Sequence, residues 1–165
     1  MARLLKTAMG IISKKTIIAL TPGDPDGVGP ELVWKILSHP TPLEKSVSIL
    51  CIGAREPFDR MGVPVVVANL EAKFPLQHKP HVWLIPAPKG GAQAFRPGFQ
   101  AGWSIQTATD LALKKKVAAL VTGPISKERL KRGEFNYPGH TEFLAHLCKK
   151  KSVTMMLTNQ FLTVS

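Results

Sequence analysis

Residues 20–32, LTPGDPDGVGPEL, set Gly23, Gly27 and Gly29 beside Pro22, Pro25 and Pro30, with Asp24 and Asp26 between them. A surface turn needs one or two such residues. This density fits either an elaborate connection or a backbone that passes close to another group. The stretch follows an apolar run and opens a helix-like segment, the setting in which free amides and the helix dipole hold an anion or a cofactor. It is neither the G-x-G-x-x-G dinucleotide fingerprint nor a P-loop, since no Gly-Lys-Ser/Thr follows. On residue types alone, a ligand-facing role and a plain strand-to-helix connection stand equal. Metal chemistry has less support. Cys51 and Cys148, and His39, His78, His81 and His146, show no spacing that suits a metal ion.

The elements around the loop follow from periodicity. TIIALT (16–21) is β-branched and apolar and predicts a buried strand, and ELVWKILSH pairs Leu32 with Ile36 and Val33 with Leu37 at helical spacing. Pro30 suits the first position of that helix and Glu31 its first turn. SVSILCIG (46–53), VPVVVAN (63–69), HVWLIP (81–86), VAALVTG (117–123) and SVTMMLTN (152–159) predict further strands. REPFDRMG (55–62) predicts a short helix closed by Gly62, and residues 87–99 a loop rich in Pro and Gly. A long helix is expected from Gln100, with Ala101, Ile105, Ala108 and Ala112 on one face. ISKERLKRG (125–133) and TEFLAHLCKKK (141–151) predict two more, the first stopped by Gly133. Strands alternating with helices give an α/β layered sheet, largely parallel. FLTVS (161–165) reads as a strand folded back on VTMML, and the sequence is expected to be part of a longer one.

The chain of 165 residues suits one ordinary domain, and its 44% hydrophobic content is enough for a core. The net charge of +11 favours an anionic partner: nucleic acid, acidic lipid or a phosphorylated metabolite. Much of it sits in Lys114–Lys116 and Lys149–Lys151, which close helical segments and are expected to be solvated helix ends. Cys51 lies in an apolar run and reads as a buried thiol, which suits a reducing cytoplasm. No apolar run approaches the roughly 18 residues of a membrane span. The start, MARLLKTAMGIISKK, has an apolar part broken by Lys6 and ended by Lys14 and Lys15, and reads as a loose extension rather than a signal peptide.

Four stretches in order, TPGDPDGVGPEL, LVTGPISKERL, YPGHTEFLA and VTMML, resemble the N-terminal half of the 4-hydroxythreonine-4-phosphate dehydrogenase family of pyridoxal phosphate biosynthesis. The resemblance runs from about Thr16 to Ser165. It implies the layered sheet of isocitrate and isopropylmalate dehydrogenases, here with an incomplete first domain and the start of a second. Residues 1–15 would be an extension, 16–126 the first domain's N-terminal part, and 127–165 the beginning of the second. It also implies NAD-dependent oxidation of 4-phosphooxy-L-threonine and loss of carbon dioxide to give 3-amino-2-oxopropyl phosphate. A divalent metal (zinc, magnesium or cobalt) would assist, and the partner would be a second copy of the chain in a homodimer. A sister group acts on phosphorylated four-carbon sugar acids, so that substrate class stays open.

Carried over residue by residue, GHTE implies substrate contacts at His140 and Thr141, and Lys127 of TGPISK is placed in the same cleft. Thr141 is a reasonable N-cap for the helix that follows, and Gly139 lets a ligand come close. A hydroxyl, an imidazole and free amides together suit a phosphate. Against this, His140 on its residue type alone reads rather as a histidine satisfied at a helix start, and Lys127 reads equally as a solvated lysine. The family's metal-binding histidines and most of its cofactor site would lie beyond Ser165, so no metal ligand and no catalytic residue is assigned here and the chain alone is expected to be inactive. A basic nucleic-acid-binding domain is the competing class. It rests on charge alone and lacks interleaved aromatic and basic residues or a recognisable binding motif. A degenerate family member serving as a partner subunit is a third reading.

Overall fold

The computed structural model describes residues 16–39, 47–68, 81–88 and 97–164. Five strands form one sheet: β1 (Thr16–Thr21), β2 (Val47–Gly53), β3 (Val65–Val67), β4 (Val82–Pro86) and β5 (Ala119–Thr122). Their order is β3-β4-β2-β1-β5, and every pairing is parallel. Parallel neighbours need crossovers, which cover both faces of the sheet and explain why the central strands read as continuous apolar runs. On one face Ala19, Leu50 and Ile52 pack with Ala108 and Leu111 of a long helix, α3 (Pro97–Leu113). On the other, Leu20, Cys51 and Leu84 pack with Val33 of α1 (Gly29–Ser38) and Phe58 of α2 (Glu56–Arg60). Full burial of Leu50, Ile52, Phe58 and Leu84 stabilises by roughly 1.5–3 kcal/mol each.

The predicted elements are present, with shifted bounds. The long helix begins at Pro97 rather than Gln100, because Pro is tolerated in a first helical turn, where amides lack intrahelical partners. Of the predicted loop 87–99, residues 89–96 lie outside the described ones, as do Asn69 and His78. Gly62 closes α2 in the left-handed region (φ +66), as a helix stop should. The lysines 114–116 and 149–151 are exposed beyond the ends of their helices, and Lys114 pairs with Asp110 one turn back at 2.7 Å. Cys51 is fully buried, which pushes its thiol pKa far up and leaves it inert.

Two short helices follow β5. In α4 (Lys127–Arg132) the Leu130 side chain is fully buried, and α4 lies so close to α3 that a β-carbon on Gly98 would overlap the Arg129 carbonyl oxygen. In α5 (His140–Leu147) Phe143 is the buried anchor. Tyr137 stacks on it with ring centroids 4.4 Å apart, and Phe135 meets it at 5.4 Å. This aromatic row fixes the orientation of α5. The predicted strand 152–159 is reduced to β6 (Leu157–Thr158), paired antiparallel with β7 (Thr163–Val164), so the chain does fold back as expected. Asn159 makes the turn, its Oδ1 accepting from the amides of Phe161 and Leu162 at 2.8 Å each. The described residues from Lys149 onward are exposed, Phe161 by 86%.

Candidate functional site

Strands β1 and β5 are neighbours whose following connections leave toward opposite faces, one to α1 and the other to α4 against α3. In open α/β sheets the carboxyl ends of two such strands form the crevice where ligands bind. Here the two loops fill that crevice themselves. The Asp24 amide donates to the Pro124 carbonyl at 3.0 Å, and the Gly123 amide to the Thr21 carbonyl at 2.6 Å. Gly23 has φ +83, and a β-carbon there would overlap the Pro124 carbonyl oxygen. One on Gly29 would overlap the Pro22 carbonyl oxygen. Close approach is therefore why these glycines are present, but the approaching group is the protein's own backbone.

The aspartates of the loop are also occupied. Asp24 Oδ1 accepts from the Asp26 amide at 3.0 Å, an Asx turn that shapes the loop. Arg129 Nη1 donates to Asp24 Oδ1 at 3.1 Å and to Asp26 Oδ2 at 2.9 Å, and Arg60 lies 3.6 Å from Asp26. Asp26, Arg129 and Arg132, with Pro97 and Gly98, line an open cavity of about 590 Å³.

The residues singled out for substrate contact fall together one step further along. Lys127 is the first residue of α4 and is exposed, and His140 is the first residue of α5 and half-buried. Lys127 Cε lies 4.0 Å from where a β-carbon on Gly139 would sit, so the starts of the two helices adjoin. Thr141 is exposed in the first turn of α5 and is not its N-cap; Gly139 holds that position and no side chain caps the helix. Gly139 has φ −179, extended backbone open to any residue, and a β-carbon there would meet nothing closer than 3.5 Å, so neither conformation nor packing requires glycine at this position. His140 Nε2 is buried without a hydrogen-bond partner, and burial lowers the imidazole pKa from its ordinary value. A buried polar atom without a partner costs free energy, and Nε2 is such an atom among the described residues. The opening amides of α5 have no intrahelical acceptor. Lys127, His140 and Thr141 thus gather at the start of α5, together with the carboxylate of Glu142, whose Oε2 lies 3.5 Å from where a β-carbon on Gly139 would sit.

Of the other histidines, His39 Nδ1 contacts the Lys35 carbonyl at 2.7 Å, His81 packs edge-on to Trp83, and His146 packs against Tyr137. Among the described residues no three His, Cys, Asp or Glu side chains converge to hold a metal ion. These residues therefore offer no ligand set for a divalent metal. Arg129 was missed in the sequence. No local signal marks it, because its carboxylate partners lie more than a hundred residues away in sequence.

Fold and site define a parallel α/β layered protein whose candidate site is built from loops beyond its strands. The chain belongs to the family described as pyridoxal phosphate biosynthetic protein PdxA, which matches residues 61–165. It is 34% identical over 165 residues to a 4-hydroxythreonine-4-phosphate dehydrogenase of Trichlorobacter lovleyi, covering 92% of this chain and 48% of the relative. It is also 34% identical over 161 residues to a D-threonate 4-phosphate dehydrogenase of Pectobacterium atrosepticum, covering 90% and 49%. Among solved structures, a 4-hydroxythreonine-4-phosphate dehydrogenase from Burkholderia phymatum matches with a TM-score of 0.75 at 29% identity, covering 90% of this chain and 48% of that one. One from Klebsiella pneumoniae matches with a TM-score of 0.73 at 33% identity, covering 90% and 49%. The chain spans about half the length of the curated relatives it matches. Among the described residues no helix is long and apolar enough to cross a membrane.

Proposed function

We propose that this chain supplies the phosphate-holding part of an NAD-dependent dehydrogenase acting on a four-carbon hydroxy acid 4-phosphate, with 4-phosphooxy-L-threonine as the leading substrate. The observation that carries this reading is the meeting of Lys127 with the start of α5, where His140 Nε2 is buried and unpartnered. Lys127 would neutralise the phosphate, Thr141 and the opening amides of α5 would donate to its oxygens, and His140 would donate through Nε2 once protonated. Held by its phosphate, the substrate presents its 3-hydroxyl carbon at a fixed distance from the anchor. NAD, when bound, would supply the hydride acceptor for oxidation of that carbon, with the hydroxyl proton released. The resulting β-keto acid loses carbon dioxide to give 3-amino-2-oxopropyl phosphate. Metal and nicotinamide sites belong, in this reading, to the portion of the relatives that the chain does not span. Residues 127–165 would begin the second domain, and the active form would be a homodimer in the cytoplasm.

D-threonate 4-phosphate is the second reading, favoured by relatives of that name at the same identity. Both acids carry the 4-phosphate, so the anchoring residues are common to both. A chimera joining this chain to the remaining half of the Trichlorobacter lovleyi relative tests the proposal through NAD reduction with each acid. Turnover of 4-phosphooxy-L-threonine is expected. Preference for D-threonate 4-phosphate selects the second reading, and a folded chimera inert toward both overturns the proposal.

A further inference from the structure

Arg129 reaches out of its own helix to a loop more than a hundred residues away in sequence. It is the third of the six residues of α4, a helix that opens with Lys127 and Glu128. One guanidinium nitrogen, Nη1, meets two carboxylates of the glycine loop, Asp24 at 3.1 Å and Asp26 at 2.9 Å. Asp24 is itself fixed, since its amide is bonded to the Pro124 carbonyl and its Oδ1 to the Asp26 amide. The side chain of Arg129 thus reaches back from α4 to the most constrained part of the loop between β1 and α1. We infer that Arg129 is a positioning residue, whose ion pairs with Asp24 and Asp26 set the first turn of α4 so that Lys127 stands beside Gly139 and His140.

Other contacts hold α4 in place without it. Leu130 is fully buried, the Ser126 hydroxyl caps Arg129 N at 3.3 Å, and the loops are joined by backbone hydrogen bonds. Lys127 is exposed and makes no ion pair among the described residues, so nothing on its own side chain fixes it. The pairing also leaves the loop close to neutral. Asp24 and Asp26 face Arg129 and Arg60, so the loop carries little repulsion toward an anion bound nearby.

This inference rests on the phosphate-holding reading for its purpose, though its geometry can be tested separately. In the 165-residue chain, the nuclear Overhauser contact between the Lys127 ε-protons and the Gly139 α-protons reports the geometry. Titration with inorganic phosphate, followed at the His140 and Thr141 amides, reports the site. Arg129→Ala should abolish the Lys127–Gly139 contact and weaken phosphate binding roughly three- to tenfold, leaving the amide shifts of β1 and β2 in place. Arg129→Lys keeps one donor and the charge, and should restore part of both. If Arg129→Ala unfolds the chain, Asp26→Asn carries the test, because it alters only an exposed carboxylate and should weaken the same contact. An unchanged Lys127–Gly139 contact in the folded Ala variant, or in Asp26→Asn, overturns the positioning role. If the contact responds as expected while wild-type chain shows no phosphate-dependent shift at His140 and Thr141, the site reading fails and the positioning role stands.

Discussion

Gly23 lies flat against Pro124, with no space between them for a β-carbon, although the two come from loops far apart in sequence. Gly23 serves this junction, and Gly29 a second close approach within the loop, to the Pro22 carbonyl oxygen. Gly23→Ala and Gly29→Ala should therefore act on stability. Overpacking against backbone costs about 1–3 kcal/mol, and the left-handed conformation at Gly23 adds about 1–2 kcal/mol. For a chain of this size that lowers Tm by roughly 5–15 °C. Gly62→Ala is the control, since Gly62 has φ +66 but open space around it, and only the conformational part should appear. Differential scanning calorimetry of the three variants decides the matter; equal losses at Gly23 and Gly62 would refute the packing account.

Thr141→Ala should weaken binding of the phosphorylated acid and spare the fold, because Thr141 is exposed and caps nothing. One charge-assisted hydrogen bond contributes about 1.5–3 kcal/mol, so affinity should fall roughly ten- to a hundredfold. Isothermal titration with the acid and with its dephosphorylated analogue separates the causes. A loss of equal size against both would remove Thr141 from the phosphate.

His140 gives a pH signature whose direction follows from its burial. The folded-state pKa lies below the ordinary value of 6.5, so the unfolded chain takes up a proton first as pH falls. The stability associated with neutral His140 is complete above that ordinary value. It is lost progressively as pH drops through the interval down to the lowered folded pKa. His140→Gln should flatten this acid-side slope in denaturant titrations. Bound phosphate favours the imidazolium and should raise the His140 pKa, seen in the ring-proton shifts. A pKa unmoved by saturating phosphate would place the anion elsewhere.

The hairpin of β6 and β7 presents Met155, Leu157, Phe161 and Leu162 to solvent, each more than 60% exposed. An exposed apolar arm with free strand edges promotes association. Sedimentation velocity of the 165-residue chain should show concentration-dependent association, and the double variant Phe161→Ser, Leu162→Ser should reduce it. Stability should change by no more than about 0.5 kcal/mol, since neither side chain is buried. Association unaltered in the double variant would assign the contact to another surface.

The isolated chain, with NAD and added zinc, magnesium or cobalt, should not oxidise either phosphorylated acid. It spans about half of the dehydrogenases it matches, and its described residues hold no ligand set for a metal. Metal-dependent turnover by pure chain would show that the anchoring half suffices.

Much of the architecture was legible because local rules and global fold agree. The runs TIIALT and VSILCIG are β-branched and apolar on both alternations, which suits a strand covered on both faces, and both became central strands. Helices were found by their periodicity and stops, Gly62 and Gly133 among them. Their starts were less legible. Pro97 opens a helix inside what reads as loop, and Thr141 looks like an N-cap until Gly139 is seen to hold that position. The sequence also supplied the motifs that mark the site, His140, Thr141 and Lys127, but not their meeting, since spacing along the chain carries no information on which helix starts adjoin. Tertiary structure alone decided what the glycines face. Close approach can be read from glycine content, but the approaching group is set by which strands become neighbours, here β1 and β5. The role of Arg129 was hidden for the same reason: its carboxylate partners lie more than a hundred residues away, and only the parallel pairing of β1 with β5 brings them within reach.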